Sequence, residues 1–74
     1  MKIDGNLVRL IRFDEGLTQE AFAKTLGVGL TTIANVETEY RPVSASLKLR
    51  LIRKFNLTDA RLEELKAIEK VVFA

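Results

Sequence analysis

The chain of 74 residues contains no cysteine and no histidine. Without cysteine there is no disulfide and no thiolate metal site. Without histidine the usual zinc ligand and the usual general base are gone. Proline occurs once, at Pro42, where it biases Arg41 away from helical backbone and ends a helix before it. No apolar run approaches the ~20 residues that span a bilayer, and no signal peptide is visible, so a cytoplasmic location is expected. Catalytic groupings are missing too. Glu63 and Glu64 are adjacent, and a helix points neighbours in different directions. Gly27-Val28-Gly29 forms a GxG, but it follows a helix rather than a strand, which removes a phosphate-cradling reading. No enzyme, no metal and no cofactor is expected.

What is present suits one small domain spanning residues 1–74. A chain of this size buries only about 60% of its unfolded surface, so its stability is modest. The formal charge is +2, from 12 basic and 10 acidic residues. Its placement says more than its sum. Between Gly27 and Tyr40 there are two acids, Glu37 and Glu39, and no Lys or Arg. Between Leu47 and Lys54 there are four bases, Lys48, Arg50, Arg53 and Lys54, and no acid.

The stretch from Gly16 to Glu37 reads as two short helices joined by a tight turn. Thr18 can cap the first through its hydroxyl. Phe22 and Leu26 lie four apart on one face, with Ala23 small enough for a second helix to cross closely. Gly27 follows the last periodic residue, where a left-handed terminus is needed. Val28 plugs the turn, and Ile33 and Val36 give the second helix its inward face. The unit is a helix-turn-helix over about residues 18–37.

These positions, with GLTQ before them and Glu37 after, resemble the phage-repressor and Cro-like (XRE-like) family from about Gly5 to about Leu65. The resemblance implies an all-α, five-helix lambda-repressor-like domain in a bacterial host cell. It implies that Arg12 reaches into the fold and pairs with Glu37 as a structural ion pair. It places Leu30, Thr31, Ala34 and Asn35 where the family reads base edges. Gln19, Lys24 and Arg41 stand where phosphates would be met, with the bases of the fourth helix as further candidates. Gly29 replaces a Ser or Thr cap, and Glu39 replaces a glycine and would repel phosphate.

Around the motif, Asp4 or Asn6 can cap a first helix running to about Glu15, with Val8 and Ile11 inward. Leu7, Leu10 and Phe13 widen that helix's apolar stripe beyond the usual ~100°. Either the last helix covers the excess, or it is a surface for a homodimer or partner. Ser44 caps a fourth helix to about Phe55, with Leu47, Leu51 and Phe55 inward, its bases on the solvated side, and Asn56 as the stop. Leu57 packs in, and Thr58 caps a fifth helix with a Leu62, Leu65, Ile68, Val72 stripe. Ile68 and Val72 are expected on Leu10 or Phe13, within the monomer or across a dimer.

Two functional readings follow. Base readout favours Arg or Lys on guanine and Asn or Gln on adenine, and the third helix offers only Asn35. The weakly charged helix resembles the small modulators of repression (antirepressors) of temperate phages. The leading expectation is therefore an antirepressor that binds a larger phage-type repressor. Its contact face centres on Leu30, Thr31, Ala34, Asn35 and Glu39, with Gln19, Tyr40 and Arg41 at the edges. The alternative is a Cro-like dimer that binds operator double-stranded DNA.

Overall fold

The computed structural model describes residues 2–72. It contains α1 (Gly5–Asp14), α2 (Gln19–Leu26), α3 (Leu30–Glu37), α4 (Ala45–Phe55) and α5 (Asp59–Val72), with no strand among the described residues. Local chemistry sets most of the boundaries. Asp4, Thr18, Ser44 and Thr58 each accept a backbone N–H of the first turn that follows, at 2.9–3.1 Å. These four caps satisfy donors that the helix itself leaves unpaired. At the other ends the chain turns through left-handed backbone at Gly16, Gly27, Glu39 and Asn56. The motif turn closes as the Val28 N–H donates to the Ala23 carbonyl at 3.0 Å, with Gly27 at φ 72°. An L side chain at that angle is strained, which is why glycine serves there.

α2 packs on α3 and α4, and α1 packs on α3 and α5. Val8, Ile11, Phe22, Ala23, Leu26, Ile33, Val36, Leu47, Leu51 and Leu62 are buried as expected from their spacing. Phe55 differs: it is only partly buried, its ring stacked on Phe22 with centroids 5.6 Å apart. Ile3, which precedes the first helix, is also buried and belongs to the core.

The last helix covers the excess stripe of the first. Leu7 and Leu10 are buried, as are Leu62 and Leu65 opposite them. Polar contacts fix the pairing as antiparallel. The Asn6 amide donates to both Glu69 carboxylate oxygens at 2.9 Å, while Arg61 pairs with Asp14 at the other end. Glu64 and then Asp14 hold the Arg61 guanidinium above its ordinary pKa. The inward stripe is therefore Leu62, Leu65 and Glu69, which share one helical face. Ile68 falls at the edge of that stripe and stays 44% exposed, as Phe13 stays 48% exposed, so Ile68 is not a core contact. The Val72 side chain lies outside the described residues. No helix here is long and apolar enough to cross a membrane, among the described residues.

The closest backbone approach is at Gly5, where α1 begins against the end of α3. A Cβ built there would lie 2.0 Å from the Val36 carbonyl oxygen. Helix propensity alone would make Gly5→Ala stabilising by up to about 1 kcal/mol. The clash reverses the sign. Thermal or urea unfolding of Gly5→Ala should show a loss of about 2 kcal/mol or more. Gly29→Ala, where the nearest neighbour of a Cβ is 4.0 Å away, is the control and should lose clearly less, about 1 kcal/mol or below, the cost of alanine at a helix N-cap. A neutral Gly5→Ala would mean that α1 and α3 do not meet this closely.

Candidate nucleic-acid interface

The outward face of α3 is held in place from the rear of the helix. Arg12 Nε donates to Glu37 Oε2 at 2.7 Å and Nη2 donates to Oε1 at 2.9 Å, a two-pronged pair. Arg12 Nη1 donates to the Leu17 carbonyl at 3.0 Å, and Gln19 Nε2 donates to Glu37 Oε1 at 3.2 Å. The Glu37 side chain is 3% accessible and that of Arg12 12%. A carboxylate so far from water is tolerable only when paired and hydrogen-bonded. Three donors meet this one. The Arg12 guanidinium also lies over the Phe13 ring, 4.6 Å from its centroid, a favourable placement for a cation. The group ties α1, the start of α2 and the end of α3 together.

With its C-terminal end anchored, α3 presents the opposite side outward. Leu30 is 48% exposed, Thr31 and Thr32 are exposed, and Ala34 and Asn35 are half-buried. Thr31, Asn35 and Arg41 meet along a hollow between α3 and the following loop, with Pro42 and Ser44 on its far side. The Arg41 N–H donates to the Asn35 carbonyl at 3.2 Å, which folds the loop onto the helix. Its guanidinium lies 5.7 Å from the ring centroid of Tyr40, itself 75% exposed. A second hollow shares Arg41 and Pro42 with the first and is lined also by Lys2, Asp4, Gly5, Glu39 and Lys48. Gln19 stands apart from both hollows. It is half-buried and its amide nitrogen is directed at Glu37, so much of its capacity is committed inward.

Two placements on α4 are fixed by the tertiary structure. Lys48, one of the fourth-helix bases, lies at the second hollow together with Arg41 and Lys2, and that hollow shares Arg41 and Pro42 with the one along α3. Nothing local in the sequence signals that convergence of three separate segments. Arg50, another of these bases, is structural: its Nη1 donates to the Leu26 carbonyl at 3.0 Å and closes the end of α2.

Residues 8–62 match the helix-turn-helix family, and the chain belongs to it. Helix-turn-helix domains of this family are the class found in DNA-binding transcription regulators. The chain is also similar to the propionyl-CoA carboxylase regulator of Cereibacter sphaeroides, with 37% identity over 68 residues. The match takes in 92% of this chain and spans 14% of that much longer protein. No solved structure matches the chain at a significant level.

Two expectations follow. Arg12→Ala and Glu37→Ala each leave a partner buried and uncompensated, so each should destabilise by about 3–5 kcal/mol. The double variant should lose clearly less than the sum, a coupling readable in a urea-unfolding cycle. Small, additive losses would show the pair to be unimportant. Separately, Glu39 sits at φ 62° without being glycine or asparagine. Relief of that strain, less the greater unfolded freedom of glycine, should make Glu39→Gly more stable by about 0.5–1 kcal/mol. A lower urea midpoint for this variant would contradict it.

Proposed function

We propose that this chain binds operator double-stranded DNA, with α3 entering the major groove. Asn35 is the base reader, suited to adenine through paired hydrogen bonds, and Leu30 and Ala34 offer apolar contacts to thymine methyls. Thr31 and Tyr40 border this face. Arg41, Lys48 and Lys2 meet backbone phosphates. The observation that supports this reading most is the gathering of those three cations at one hollow, which shares Arg41 and Pro42 with the hollow along α3. Tight operator binding typically neutralises about 6–10 phosphates, more than one copy supplies here. Two copies on adjacent half-sites fit the arithmetic, as in other helix-turn-helix dimers. The likeness to a carboxylase regulator supports bacterial gene control without requiring a phage setting.

A second reading has its own observation. The face carries exposed Leu30 and Tyr40 beside Glu39, and α3 contributes no cation. Apolar surface with an acidic neighbour suits the basic DNA-reading face of a larger phage-type repressor, which would make the chain an antirepressor.

One titration separates the two. Purified protein is measured against duplexes selected from a random library, and against a basic repressor domain, at two salt concentrations. On the DNA reading, Asn35→Ala weakens the selected duplex by about 1–3 kcal/mol and Arg41→Ala weakens all duplexes alike, lowering the salt slope by about one unit. On the antirepressor reading, duplex binding is weak, the repressor domain binds tightly, and Leu30→Asp abolishes that complex. Selection that yields no preferred duplex counts against the first reading. Tight binding to a selected duplex, lost in Asn35→Ala and unaffected by any repressor, rejects the second.

A further inference from the structure

Of the two carboxylates at the second hollow, Asp4 is engaged in capping α1, whereas that of Glu39 makes no hydrogen bond among the described residues. Its residue is exposed, and among the described residues no cation pairs with it. Yet the same hollow is lined by Lys2, Arg41 and Lys48. The side chain is not free to swing anywhere. Its backbone is locked in left-handed geometry, and its Cγ packs over Gly5, so close that a Cβ there would come within 2.9 Å of it. A carboxylate with no ion-pair partner among the described residues thereby stands at the hollow that Lys2, Arg41 and Lys48 line.

We infer that Glu39 is an attenuator of DNA affinity: its carboxylate opposes the backbone phosphate that Lys2, Arg41 and Lys48 would otherwise draw in. This rests on the DNA-binding reading above. A charge that acts on the phosphate backbone carries no sequence information, because phosphates position a protein and bases specify its site. Non-specific binding is almost wholly electrostatic, so an opposing charge pushes it toward insignificance, while a site with base contacts keeps a separate source of affinity. Binding then depends on Asn35 and its neighbours. A purely structural role is the competing account, since Gly5 opens α1 and a carboxylate near a helix start is favourable. That role would move stability and leave DNA affinity alone.

The test uses Glu39→Gln, which keeps the shape and removes the charge, in parallel with wild type. Each protein is titrated with an unrelated duplex and with a duplex selected from a random library, at low and moderate salt, with thermal unfolding recorded alongside. Glu39→Gln should bind both duplexes more tightly by a similar factor, about three- to tenfold at low salt and less as salt screens the charge. Duplex binding by the variant where wild type shows none also supports the inference. Wild-type binding with no change in the variant overturns the attenuator and leaves the DNA reading standing. A change confined to the selected duplex overturns it too, and makes Glu39 a base reader. If neither protein binds any duplex, the DNA reading fails and the attenuator with it.

Discussion

The pairing of Arg12 with Glu37 is the constraint on which the functional face depends. A carboxylate at 3% accessibility is costly unless its lone pairs are met. The two-pronged guanidinium and the Gln19 amide meet them, and both partners are long side chains that accept one geometry. Because Glu37 ends α3, that geometry sets the angle at which α3 crosses α1 and α2. It also removes one of the two acids near the recognition helix from the electrostatic field outside the protein. A third element, the Leu17 carbonyl, is held by the same guanidinium, so the turn before α2 cannot shift independently.

With Glu37 neutralised, the surface around α3 is governed by charges that belong to other segments. Lys2 comes from before α1, Arg41 from the loop, and Lys48 from α4. α3 itself supplies apolar, hydroxyl and amide groups. This division suits a protein whose base contacts and phosphate contacts lie on different elements, the former on a packed helix and the latter on its rim. The buried Ile3 matters here, because an anchored residue next to Lys2 holds that cation near the fold instead of leaving it on a loose arm.

The fifth helix serves a different need. A domain this small has little core to draw on, and α5 enlarges it by burying Leu7 and Leu10 under Leu62 and Leu65. Asn6 with Glu69 and Arg61 with Asp14 set the antiparallel register of the two helices. These contacts lie on the opposite side of α1 from the Arg12 clamp's partners, so α1 is the element gripped from both sides.

Much of this was legible in the chain because it is decided locally. Asp4, Thr18, Ser44 and Thr58 cap helices through donors three residues away. Gly27 and Asn56 end them through backbone conformations that few residues adopt without strain. The 3–4 spacing of Phe22, Leu26, Ile33 and Val36 marks the inward faces without any knowledge of what covers them. Resemblance to a family, not spacing, joined Arg12 to Glu37. What only the tertiary structure decided are the meetings between distant segments. Arg50, though exposed, closes α2, Ile68 is turned aside by Glu69 taking the next inward place, and Ile3 joins the core. Lys2, Glu39, Arg41 and Lys48 converge on one hollow. Helical period and capping depend on neighbours a few residues apart, whereas a hollow built from three segments depends on how whole helices cross, and no short stretch of sequence contains that information.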